Sequence, residues 1–213
     1  LERKGDSLLQ HIKKGDNMNG INYDKFKSPN SLVSQLELIG YISDKFNQRN
    51  ISCIIKDEFA AEFYTGSFYR AKYISIIIDK DEEVAEQILS DIGFIKEYGF
   101  YVLNSSKIGF AVYIKVKLTP FQSDDSRLTS IKCKSGFVIK IIGLEDLVIE
   151  YIYEYSRSYS FRKSEQILAM IFIHYESINM DFVYKKCIEL DTEQFINEFI
   201  DFKSMDDIKV VLK

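Results

Sequence analysis

Leu32, Leu36, Ile39 and Phe46 recur at close to helical spacing behind Ser28-Pro29, which predicts an amphipathic helix over roughly 30–48. Ile51 to Ile55 then reads as a short apolar strand, and Asp57 to Tyr64 as a short helix closed by Gly66. Lys72 to Ile78 has the continuous apolar character of a buried strand. Asp81 is placed to cap the next helix, whose Val84, Ile88 and Ile92 form one face before Gly93 ends it.

From Phe94 to Ile142 the period drops to two. Val112, Ile114, Val116 and Leu118 alternate with Tyr113, Lys115 and Lys117, which predicts a strand with one buried face, and further strands are expected near 100–103, 129–134 and 137–142. Pro120, Ser123, Asp124 and Asp125 mark a mobile loop between them. After Gly143 the pattern is helical almost to the end. The chain therefore divides into a polar, flexible arm over 1–27, an α/β domain over 28–143 and a helical region over 144–213 packed against it.

Composition narrows the class of protein. A chain of 213 residues that is 46% hydrophobic can bury a substantial core, and its longest apolar runs are strand-sized, well short of the roughly 18 residues of a membrane span. A formal charge of −4 gives no overall case for nucleic-acid binding, so a basic surface must come from local patterning. Cys53, Cys133 and Cys187 lie far apart and are odd in number, which argues against a disulfide framework or zinc ribbon and for a reducing cytoplasm. The opening LERKGDSLLQ lacks the apolar core of a signal peptide, and a start at Leu1 leaves room for residues upstream.

The segment ISCIIKDEFAAEFYTGSFYRAKYISIIIDKD, residues 51–81, carries the most information about function. Its strand, turn into a helix, Thr-Gly-Ser turn, Arg and second strand resemble the opening of minimal, polymerase-beta-like nucleotidyltransferases. GLEDLVIEYIYEY and INMDFVYKKCIEL are similar to the helical tail of AbiEii-type and related archaeal and bacterial members, with Glu145-Asp146-Leu147-Val148 and Met180-Asp181-Phe182-Val183-Tyr184 at the helix starts. The resemblance spans about residues 28–200. It implies a nucleotidyltransferase-like mixed sheet with flanking helices and a C-terminal helical bundle, an α/β (α+β) fold.

That family places Gly-Gly or Gly-Ser after the first strand and Asp-x-Asp on the second, where this chain has Asp57-Glu58 and Tyr73-Ile74-Ser75. Alternate carboxylates on a strand point the same way and hold the divalent metals that bridge nucleotide phosphates. Tyr73 and Ser75 supply no such charge, and Asp57 and Glu58 repel phosphate. The resemblance therefore implies a catalytically degenerate member acting as a binding or assembly subunit. Its alternatives are a divergent magnesium-dependent nucleotidyltransferase related to toxin–antitoxin pairs, which would need magnesium and a nucleotide triphosphate, and a small nucleic-acid-binding module.

The candidate chemistry is sparse. Glu58 and Glu62, one helical turn apart, and Asp79 in Asp79-Lys80-Asp81 are the candidate catalytic carboxylates, with helix capping and solvated faces as the competing roles. Thr65, Ser67, Arg70 and Lys72 are candidate phosphate contacts, against a plain helix end. Lys115 and Lys117, with Lys132, Lys134 and Lys140, offer an anion-binding sheet face for nucleic acid, or protection against edge pairing.

Tyr151, Tyr155 and Tyr159 near Arg157, Arg162 and Lys163 suit base stacking or helix packing. His11 and His174 have no ligand-spaced neighbours, and no metal site is expected. The apolar content of 144–175, including Leu147, Ile152, Leu168, Ile171 and Phe172, predicts a homodimer or protein-partner surface, and no membrane contact is expected.

Overall fold

The computed structural model describes residues 32–105, 110–119 and 127–200. The arm over 1–27 and the loop at Pro120 to Asp125 lie outside the described residues. Helix α1 (Leu32–Asn47) leads into β1 (Cys53–Lys56), α2 (Asp57–Tyr64), β2 (Ile74–Ile78) and α3 (Glu82–Asp91). Strands β3 (Ile95–Glu97), β4 (Phe100–Ser105), β5 (Phe110–Leu118), β6 (Thr129–Lys132) and β7 (Val138–Ile141) follow. Helices α4 (Leu144–Ser158), α5 (Phe161–Ile173), α6 (Met180–Glu189) and α7 (Glu193–Ile200) complete the described chain.

All seven strands form one mixed sheet in the order β3-β4-β5-β2-β1-β7-β6. β2 runs parallel to β5 and β1 parallel to β7, while the other neighbours are antiparallel. Because side chains alternate across a strand, the register sorts them onto two faces. One face carries Ile55, Ile76, Ile114, Ile139 and Ile141, all without solvent exposure. The other carries Ile54, Lys56, Ser75, Ile77, Tyr113, Lys115, Lys117 and Lys140.

Helices α1 and α3 cover the apolar face. α1 approaches so closely at Gly40 that an added Cβ would lie 2.8 Å from Cys133 Sγ and 3.0 Å from Phe137 Cβ. One turn earlier, the Glu37 carboxylate accepts the backbone N–H groups of Lys134 (2.7 Å) and Ser135 (3.3 Å) in the β6–β7 turn. On α3 the buried positions are Ala85, Ile88, Leu89 and Ile92, whereas Val84 is exposed. Ile88 and Ile92 are thus buried as expected, Ala85 and Leu89 complete the face, and Val84 lies outside it. Asp81 occupies the N-cap position with φ 57° and makes no side-chain capping bond, so its cap is one of position only.

The helical half docks through α2, α4 and α5, and one contiguous cluster of buried apolar side chains runs from α1 to α7. Leu147, Ile152, Leu168 and Ile171 belong to that cluster, and only Phe172 of the expected association set is exposed. The apolar content of 144–175 is therefore used mainly inside the chain, where α6 and α7 supply partners that a single packing face could not. Tyr155 shows the same thing on a smaller scale, lying edge-on to Phe195, Phe199 and Tyr159.

Candidate functional site

The end of β1 and the start of β2 meet because the two strands are antiparallel, with Lys56 opposite Ser75. β5 lies on the other side of β2, with Lys115 opposite Ser75. Ser75 therefore sits between two lysines on the lysine-bearing face. Its side chain has no solvent exposure, and its Oγ has no hydrogen-bond partner. Lys56 turns toward α4, where Nζ lies 2.8 Å from Glu150 Oε1.

The turn from β1 into α2 keeps an unusual backbone. Asp57 has φ 58°, a left-handed conformation that glycine adopts freely and that costs other residues about 1–2 kcal/mol. This is the position where the resemblance places a glycine. Only a backbone angle reveals the left-handed conformation; the identity of Asp57 gives no hint of it.

Tyr73, one residue before β2, packs edge-on against Phe100 at 5.3 Å. Burial first, and then the nearby carboxylates of Asp57, Glu58 and Glu154, push its phenol pKa up. Tyr151 on α4 is raised by burial and by Asp57, Glu58, Glu154 and Glu150. Its ring is covered by Lys163, whose Nζ lies 3.2 Å from the centroid, and its buried hydroxyl has no partner. Glu150 is also raised, chiefly by burial, against the lowering effect of Lys56. The mouth of the site thus combines carboxylates with two phenols that resist ionisation. Tyr151→Phe removes a buried hydroxyl that bonds to nothing, so its stability should stay within about 1 kcal/mol of the parent or rise. Urea unfolding of the two proteins checks this, and a large loss would reveal a hidden partner for the hydroxyl.

Glu58 and Glu62 have structural work. Glu62 Oε2 accepts the Ala71 N–H at 2.8 Å, Glu58 Oε2 accepts the Lys72 N–H at 3.3 Å, and Arg162 reaches both Glu58 (3.4 Å) and the Arg70 carbonyl (3.1 Å). Together they fasten the 65–73 loop to α2 and α5. Thr65 and Ser67 form the end of α2. The Thr65 hydroxyl donates to the Ala61 carbonyl at 2.7 Å, and the Ser67 N–H reaches back to the Glu62 carbonyl at 2.9 Å beside Gly66 at φ 60°. Arg70 and Lys72 are exposed.

Asp79 is not brought to this mouth. It follows β2 at the far end, about 20 Å along the strand from Tyr73, and accepts the Ser52 N–H at 2.9 Å. Lys134 lies in the β6–β7 turn rather than on the sheet face. The His174 ring pairs with the Tyr64 carbonyl at 2.8 Å. Among the described residues, no three His, Cys, Asp or Glu side chains are grouped to hold a metal ion. The residues that sequence reasoning missed are Lys56, Glu150 and Glu154. Lys56 could have been found by pairing the two strands on paper; the two glutamates depend on where α4 docks.

A crystal structure of an antigenic nucleotidyltransferase-like protein from Paracoccidioides brasiliensis superposes with a TM-score of 0.59 at 17% identity, covering 87% of this chain and 93% of that one. The fold is that of the nucleotidyltransferase-like proteins. ANT(2'')-Ia in complex with adenylyl-2''-tobramycin matches with a TM-score of 0.51 at 12% identity, over 76% of this chain and 99% of that one. A solution structure of the antibiotic-resistance factor ANT(2'')-Ia matches with a TM-score of 0.50 at 12% identity, over 78% and 95%. No family model matches the chain, and no curated protein matches it in sequence. Among the described residues no helix is long and apolar enough to cross a membrane.

Proposed function

We propose that this chain is a nucleotidyltransferase-fold protein without transferase chemistry, acting in the cytoplasm as a binding or assembly subunit. One observation carries the reading. Ser75, at a strand position where the resemblance calls for a metal-binding carboxylate, is fully buried and has Lys56 and Lys115 as its cross-strand neighbours. A hydroxyl cannot replace the charge of a carboxylate, and of the two neighbouring lysines Lys56 is engaged by Glu150 while Lys115 adds positive charge to this strand position. The left-handed Asp57 supports the same reading, since it puts at this turn an acidic residue that repels a triphosphate.

The second reading, a divergent magnesium-dependent transferase, draws support from ANT(2'')-Ia, which shares the fold and is seen with adenylyl-2''-tobramycin. One experiment separates the two. Magnesium-ATP is expected to leave the melting temperature unchanged, because a ligand stabilises only a state that binds it. Labelled ATP is expected to transfer no nucleotide. A magnesium-dependent rise in melting temperature, or label transferred to any acceptor, would establish the enzyme instead.

A further inference from the structure

The lysine-bearing sheet face has an uneven composition for a chain of net charge −4. Among the described residues, its strand positions carry Lys56, Lys115, Lys117, Lys132 and Lys140, with Glu97 on the edge strand as the carboxylate among them. The centre of the face is closed, since Ser75 and Ile54 are buried. The flank formed by β4 and β5 is open. Tyr113 is 44% exposed, Lys117 is exposed, and Phe100 and Lys115 are half-buried, with Lys115 Nζ 5.9 Å from the Phe100 ring centroid.

The register orders these side chains. Lys115 lies opposite Ser75 and Lys117 opposite Ile77, so Lys117 is at the end of the flank away from Tyr73. Tyr73 and Tyr113 lie side by side at the Tyr73 end, and Phe100, level with Lys115 in the register, reaches Tyr73 edge-on. The carboxylates Asp57, Glu58 and Glu154 are grouped near Tyr73 as well. A polyanion with no flat groups gains nothing from that end. A chain that carries planar bases on one side and phosphates on the other suits both ends, with bases against the rings and phosphates toward Lys115 and Lys117.

We infer that the β4–β5 flank of the open sheet face binds single-stranded nucleic acid, through Tyr113 and Phe100 as stacking surfaces and Lys115 and Lys117 as phosphate-binding cations. This rests on the binding role proposed above and assigns it a ligand class. Duplexes fit less well, because their bases are not free to stack on side chains.

The test is fluorescence anisotropy of the full chain with labelled single-stranded RNA and DNA oligonucleotides of mixed sequence, over a range of salt concentrations. A duplex and poly-glutamate serve as competitors. Binding at low salt is expected to weaken as salt rises, and the log–log slope should become shallower by about 0.7 for each phosphate that a variant no longer neutralises. Lys115→Glu with Lys117→Glu should lower affinity at least tenfold, and Tyr113→Ala about fivefold or more. Both sets of substitutions lie on the open face, and unchanged thermal unfolding would show that the fold is intact. Comparing the RNA and DNA arms identifies the preferred strand.

No binding at low salt, equal competition by poly-glutamate, or affinity unaltered in both variants would overturn the inference. Those outcomes leave the proposed loss of transferase chemistry intact, since that reading depends on the magnesium-ATP experiment alone.

Discussion

Gly143→Ala is expected to destabilise the protein by about 3 kcal/mol or more and to lower the melting temperature by about 10 °C. Gly143 joins β7 to α4, the junction between the sheet and the helical half. A Cβ added there would lie 2.1 Å from the Arg127 carbonyl oxygen and 3.3 Å from its carbon. Neither is the far end of a flexible side chain, so relief requires backbone movement. The Arg127 side chain is also tied to Asp146 in the first turn of α4 at 3.0 Å, which resists that movement. Gly66→Ala is the matched control. Its Cβ would meet nothing within 4 Å, and the cost is the φ of 60° alone, about 1–2 kcal/mol. Calorimetry on the two variants tests the ordering; equal losses would show that the junction yields readily.

Stability should be level through neutral pH and fall steeply above about pH 9. Burial pushes the thiols of Cys53 and Cys133 up from 9.0 to about 11, and that of Cys187 upward as well. Burial likewise raises Tyr64 from 10.0 to about 12, although a hydrogen bond with Thr129 opposes the shift. These folded-state values lie above those of the unfolded chain, so the unfolded chain loses its protons first as the pH rises. The associated stability is complete below about pH 9 and is lost on the way to 11 and 12. Cys53 and Tyr64, the most deeply buried of these four groups, contribute on the order of a few kcal/mol, against a typical total of about 5–15 kcal/mol. Urea midpoints measured between pH 7 and 11 read the effect directly. A midpoint unchanged at pH 11 would mean that these groups ionise in place.

Tyr64 also shows why this loss would be cooperative. Its hydroxyl lies 2.7 Å from both Thr129 Oγ1 and the Ile142 carbonyl, linking the end of α2 to β6 and to the strand that leads into α4. Ionisation would remove the donor from that link and would disturb both halves at once.

The order and type of the elements were legible in the chain itself. Helical spacing from Leu32 to Phe46, alternation from Val112 to Lys117 and the continuous run Ile74 to Ile78 are local signals, set by which side of a helix or strand meets the core. The end of α2 at Gly66 was equally local, because helix termination there requires a left-handed residue. The expectation of a changed site rests likewise on residue identity, at Tyr73 and Ser75.

Only the tertiary structure decided what those residues meet. Strand order and register joined Lys56, Ser75 and Lys115 from positions far apart in the chain, and nothing local to any of them encodes that neighbourhood. Docking of α4 and α5 assigned Glu58 and Arg162 to holding the 65–73 loop, and placed Glu150 on Lys56. It also buried Leu147, Ile152, Leu168 and Ile171, which along the sequence looked like an exposed association surface. Patterning along a chain reports that a side chain avoids water, but not which partner removes it from water. That choice is made by packing between distant segments, where shape and charge must agree at the same time.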